Sequence, residues 1–218
     1  MVLPSPFLGP AAYAPLVSAL AVGTDSASVA TVPEPLTAVG LTESWAAVAN
    51  SLEDVVLVPH SNAGHLAPGV SETCGRPPVV FMDAALPASS GRSPLVPPGL
   101  LSLLTELAVD EQLPRWTRWW PREQVEHVLP GDWFDRIDAV VPRVPLAYAE
   151  DSVVVADDWE RGRCAYLAFG AETYADELTR AEEAGWPVRI LEGARHLHCV
   201  VDPDDTARAV RSLGALVG

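Results

Sequence analysis

Six short apolar runs set the terms on which this chain of 218 residues can fold: residues 2–6, 28–32, 55–58, 79–82, 165–169 and 188–191. Most lack strict polar alternation, as expected of strands covered on both faces of a parallel sheet. The segments between them read as helices. Residues 11–21 are rich in alanine and leucine, 42–52 carry Trp45, Val48 and Leu52, and 172–184 stop at Gly185. The last helix has the clearest start: Asp202 can cap it, Pro203 suits its first position, and Asp204 and Asp205 favour its positive end. Repeated strand-helix-strand order predicts an α/β domain.

One region breaks the rhythm. Residues 87–162 offer no strand-helix alternation and are rich in proline, and four of the seven tryptophans, Trp116, Trp119, Trp120 and Trp133, lie between residues 116 and 133. So long a stretch without sheet elements reads as an inserted cap rather than a structureless loop. The expected organisation is a core in two parts, residues 1–86 and 163–218, with the cap at 87–162 between them.

Composition narrows the chemistry. A formal charge of −15 at pH 7 repels phosphate backbones and anionic lipid, which argues against nucleic acid or a membrane as partner. The chain contains no lysine, which removes Schiff-base chemistry, pyridoxal phosphate attachment and the P-loop lysine together. Cys74, Cys164 and Cys199 are far apart and the five histidines show no metal-ligand spacing, so no metal site is expected. Three cysteines without a CxxC pair, and an opening segment without a basic start or cleavage site, point to the cytoplasm. Hydroxyl, imidazole and carboxylate chemistry remains.

The segment VVLVPHSNAGH, residues 55–65, offers the hydroxyl. A strand ending near Val58 and a helix beginning near Asn62 leave Ser61 on a tight turn, where a nucleophile elbow presents its oxygen. The same turn aims the Asn62 N–H at that point. Against G-x-S-x-G, Pro59 replaces the first glycine and Ala63 the second; the proline fixes φ and removes a donor at the strand end.

With this elbow the chain resembles the α/β-hydrolase superfamily, and the resemblance runs over nearly its full length. The matching landmarks are the loop SPFLGP at residues 5–10, the elbow VPHSNAG, the strand VVFMDAALP carrying Asp83, the strand and loop AYLAFGAE, and LEGARHLHCVVDP near the end. The resemblance implies a three-layer α/β/α sandwich with a mostly parallel sheet of about six strands, starting at the family's third strand. The uncovered edge would suit a homodimer. It also implies a triad of Ser61 as nucleophile, His196 as base and Asp83 or Glu172 as acid, the order being that of the superfamily. His196 is chosen over His198 for its spacing to the pair Asp202 and Pro203. His60 packs beneath the elbow. Asn62 and Phe7 N–H groups would hold the oxyanion, and Trp116, Trp119 and Trp120, with His198, would line a substrate pocket or pack the cap onto the core.

The chemistry implied is hydrolysis of an ester, thioester or related acyl bond of a small, largely apolar molecule, with no cofactor required. Two other readings stay open. The oxyanion hole and histidine could serve proton transfer or cyclisation instead, or the fold could be an inactive accessory protein.

Overall fold

The computed structural model describes residues 1–22 and 26–218. Seven strands are found among them: β1 (Val2–Leu3), β2 (Val58–Ser61), β3 (Val79–Ala84), β4 (Gly91–Pro94), β5 (Ser152–Val155), β6 (Cys164–Phe169) and β7 (Val188–Leu191). Five of them form one parallel sheet in the order β1-β2-β3-β6-β7. The run at 28–32 adds less than a full strand. Val29 bridges Val2 in parallel, with Val2 N–H donating to the Ser28 carbonyl and Ala30 N–H to the Val2 carbonyl, and then the chain leaves the sheet. Pro33 and Pro35 follow, and neither can donate to a ladder.

The central strands explain why their runs read as continuously apolar. Successive side chains point to opposite faces. On β3, Val79 and Phe81 enter one buried cluster while Val80 and Met82 enter another. On β6, Cys164, Tyr166 and Ala168 face the first cluster, and Ala165, Leu167 and Phe169 the second. Both faces are covered, so no position is left for polar alternation.

Helices supply the outer layers. Those described are α1 (Ala14–Ala21), α2 (Ala38–Ala49), α3 (Ala67–Thr73), α4 (Pro98–Leu107), α5 (Arg122–Glu126), α6 (Trp133–Asp138), α7 (Leu146–Ala149), α8 (Ala175–Glu183), α9 (His198–Val201) and α10 (Pro203–Val217). Side chains of α2, α3 and α8 belong to the first cluster; those of α1, α9 and α10 belong to the second. The result is an α/β/α sandwich. Asp202 caps α10 as its sequence implies, its Oδ1 accepting the Asp205 N–H at 3.0 Å. Helix α2 starts before residue 42, because Thr37 caps it by accepting the Gly40 N–H at 3.0 Å.

The stretch at 87–162 differs from expectation in one respect. It contains sheet: β4 and β5 pair antiparallel, from Gly91 opposite Val155 to Pro94 opposite Ser152. Only the tertiary meeting of its two ends makes a strand of the sequence GRSP. Its side chains divide between the same two clusters, Leu104, Leu113, Val144 and Tyr148 entering the first and Val125, Leu129, Phe134 and Ile137 the second.

Candidate active site

The parallel sheet carries three separated residues to one point. Ser61 ends β2 and starts a 3-10 turn, Asn62–His65, with φ 55° and ψ −129°. Such a conformation is strained for a residue with a Cβ and persists only where the surroundings enforce it. They do so here. The β2–β3 register shifts between His60 and Ser61, and the Ala85 N–H donates to the Ser61 carbonyl at 3.1 Å. A Cβ on Gly64 would collide with the Ala85 carbonyl, so the turn needs glycine one position beyond where the common elbow pattern has it. Ala63 is fully buried and is accommodated, and Pro59 lies opposite Leu3 in the ladder without displacing the turn.

His196 sits on the loop between β7 and α9. Its Nε2 lies 3.1 Å from Ser61 Oγ, and its Nδ1 lies 2.7 Å from Asp83 Oδ2. A carboxylate only accepts, so Nδ1 carries the proton, Nε2 accepts, and the Ser61 hydroxyl donates to it. Asp83, at the end of β3, also departs from ordinary backbone with φ 41°, and its Oδ1 accepts the Phe169 N–H of β6 at 2.9 Å. Asp83 is 1% exposed, Ser61 and His196 9% each.

A second layer fixes His196 from below. His60 is fully buried and its ring stacks on that of His196 at 4.9 Å. Its Nε2 faces the His196 carbonyl at 3.0 Å, so Nε2 is the donor. Its Nδ1 therefore accepts from Tyr13 O–H at 2.7 Å, and Tyr13 accepts from the Ser5 N–H at 3.0 Å. Burial holds the His60 pKa well below the ordinary imidazole range, with the neighbouring His196 acting in the same direction. His60 is neutral, as this chain of donors requires.

The remaining candidates separate. Asn62 uses its side chain to tie the turn to the inserted stretch, donating to the Leu95 carbonyl at 2.5 Å and accepting from Tyr148 O–H at 2.7 Å. Only its backbone N–H is left for an oxyanion. In the loop after β1, Leu8 and Gly9 N–H groups turn back to the Ser5 carbonyl at 3.0 and 2.9 Å, and Pro6 has no N–H, so Phe7 is the donor that remains. Trp119 is buried edge-on against Phe7 at 4.9 Å, its Nε1 donating to the Pro114 carbonyl, and so packs rather than lines a pocket. Trp116 and Trp120 are half-buried against one another, with Trp116 6.5 Å from the His196 ring.

Two expectations need correction. Glu172 is exposed and makes no hydrogen bond among the described residues, because β6 ends at Phe169 and Gly170, with φ 72°, turns the chain outward before helix α8 begins. His198 does not join Ser61 either. As the first residue of α9 it pairs with Asp205 Oδ2 at 3.3 Å and packs on the edge of Phe169. With His127, Glu126 and Arg195 it lines a separate cleft of about 390 Å³.

Tyr174 has no counterpart in the sequence reading. It precedes the first turn of α8, its hydroxyl 3.4 Å from Ser61 Oγ and its ring 5.6 Å from that of His196. A lone tyrosine at a helix start carries no motif that marks it in the sequence.

A parallel sheet flanked on both faces by helices, with a sharp turn after its second strand, is the α/β-hydrolase fold. Solved structures of that fold match over almost the whole chain. One is an extracellular α/β-hydrolase from a Paenibacillus species, described as sharing structural and functional homology with tobacco salicylic acid binding protein 2: 16% identity, TM-score 0.76, and 98% of each chain covered. Another is polyneuridine aldehyde esterase, with 16% identity, TM-score 0.68 and 97% of each chain covered. A third is an AqdC variant that recognises and ring-cleaves the Pseudomonas quinolone signal, with 16% identity, TM-score 0.66, and 98% of this chain and 90% of that one covered. No protein-family model matches the sequence, and no curated protein matches it. Among the described residues no helix is long and apolar enough to cross a membrane.

Proposed function

We propose that this chain is a serine hydrolase acting on an ester, thioester or related acyl bond of a small, largely apolar molecule. The observation that carries the reading is the continuous line of contacts from Ser61 Oγ through His196 to Asp83, at 3.1 and 2.7 Å. Ser61 attacks the carbonyl carbon as its proton passes to His196 Nε2, and the carbonyl electron pair moves to the oxygen, held by the Asn62 and Phe7 N–H groups. Collapse expels the leaving group, which takes the proton from His196. Water repeats the sequence on the acyl-enzyme, and Oγ recovers its proton. Asp83 holds the imidazole in the required tautomer and offsets the charge of the protonated ring.

Half-buried Trp116, 6.5 Å from the His196 ring, and Trp120 packed against it favour an apolar acyl or alcohol portion, and the net charge of −15 disfavours a polyanionic coenzyme A carrier. No metal or organic cofactor enters any step. The test is a panel of p-nitrophenyl esters and small thioesters offered to wild type and Ser61→Ala. Turnover by wild type that falls by about three orders of magnitude or more in the variant is expected. Turnover of any panel member that survives Ser61→Ala would refute the nucleophile and favour proton abstraction by His196. The fold accommodates ring cleavage in the AqdC structure, which gives that second reading its basis.

A further inference from the structure

We propose that Tyr174 is a fourth catalytic residue, whose O–H donates to Ser61 Oγ and carries part of the charge that develops there. The inference rests on the serine-hydrolase reading and adds a group to it. Ser61 Oγ stands 3.1 Å from His196 Nε2 and 3.4 Å from the Tyr174 hydroxyl. With the serine proton directed at the imidazole, the oxygen has only lone pairs to offer the phenol, so the phenol donates. Burial of Tyr174 pushes its pKa up, and the hydrogen bond to Ser61 opposes that only in part. The phenol therefore keeps its proton at every pH at which His196 works, and no step consumes it.

Packing sets the placement. Tyr174 occupies the position before α8, and its ring packs against the first buried cluster and lies tilted against the His196 ring at 5.6 Å. It is thus fixed from a second direction, independent of the backbone donors at Asn62 and Phe7. Those two serve the carbonyl oxygen of the substrate. Tyr174 serves the serine oxygen, which bears charge twice: as its proton leaves at the start of acylation, and as the Oγ–C bond breaks when water displaces the acyl group. In that second event Oγ is the leaving atom, and it takes its proton from His196 while Tyr174 O–H supports it.

Tyr174→Phe removes one oxygen atom and retains the ring. The full-length protein is treated with a fluorophosphonate, and the second-order labelling rate is followed for wild type, Ser61→Ala and Tyr174→Phe from about pH 6 to about pH 9. The expected result is labelling of wild type, none of Ser61→Ala, and a roughly ten- to a hundredfold lower rate for Tyr174→Phe, the range of a charge-assisted hydrogen bond. The deficit should be the same factor at each pH, since the phenol does not titrate. Labelling of Tyr174→Phe at the wild-type rate would overturn the proposal while leaving the hydrolase reading intact, and a deficit accompanied by a shifted pH midpoint would overturn it too, because it would mean displacement of His196. Wild type that fails to label, or labels equally without Ser61, would remove the hydrolase reading and this inference with it. If Tyr174→Phe lowers the denaturation midpoint, fluorotyrosine at position 174 decides: a more acidic phenol on a ring of nearly the same size should raise the rate, and an unchanged rate overturns the role.

Discussion

Asp83 shows how much depends on a single pair of oxygen atoms. Oδ2 takes the His196 Nδ1–H and Oδ1 takes the Phe169 N–H, so both are accepting and both partners are donors. Asparagine in its place must turn an NH₂ group toward one of them. Facing His196, it selects the tautomer that puts a proton on Nε2, where Ser61 needs an acceptor; facing Phe169, it leaves two donors in contact at a buried site. Asp83→Asn should therefore retain the fold but lower the ester turnover rate by about four orders of magnitude. Glu172→Gln, at an exposed position without a hydrogen bond among the described residues, should leave turnover within about twofold of wild type. Measured side by side, the two substitutions separate the acids directly. At this scale Ser61 and His196 were legible, because each lies in a short pattern whose chemistry is local. The choice between Asp83 and Glu172 was not, because both follow strands and only the turn at Gly170 decides which carboxylate faces inward. Tyr174 was illegible for the same reason: its role comes from what the fold sets across from it.

Elements follow a similar division. The central strands announced themselves because burial on both faces removes polar residues from the sequence itself, and α10 did because its cap and first turn lie within four consecutive residues, Asp202 to Asp205. β4 could not have been found that way. Gly91 and Pro94 oppose strand propensity, and the segment is extended because Ser152–Val155 returns alongside it after the whole inserted stretch. The elbow stands between these cases. Its serine was recognisable, but the need for glycine at position 64 arises from the end of β3, where the Ala85 carbonyl occupies the space of a Cβ. Gly64→Ala must push the turn away from β3, and the backbone there has no flexible side chain to yield. A loss of about 1–3 kcal/mol in urea denaturation is expected, together with a loss of fluorophosphonate labelling larger than that destabilisation explains. Stability and labelling unchanged from wild type would mean that the turn is not held against β3.

For the molecule as a whole, the cost of a tightly filled elbow appears as sensitivity to acid. His60 and His65 flank Ser61, and both are buried and neutral; burial lowers the His65 pKa from 6.5 to about 4, with the nearby Arg180 acting in the same direction. His65 Nδ1 has no hydrogen-bond partner among the described residues, so nothing offsets its desolvation. In the unfolded chain both rings take up protons near pH 6.5, while in the folded chain His65 resists until about pH 4 and His60 is also held well below its ordinary value. Between those limits the unfolded state binds more protons, so stability increases with pH across the window and is lost as pH falls through it. Each such histidine contributes roughly 1.4 kcal/mol per pH unit. Protonation of carboxylates works the other way, relieving the self-repulsion of a chain with net charge −15, but most carboxylates titrate near pH 4 and hardly change above pH 5. From about pH 6.5 down to about pH 5 the histidines should therefore dominate, and the urea midpoint of wild type should fall across that range. His65→Leu, which replaces an unpaired buried imidazole with an apolar side chain, should reduce that fall by the share of one histidine. Equal slopes in the two proteins would show that His65 is not desolvated in the folded state, and that the turn beside Ser61 admits water.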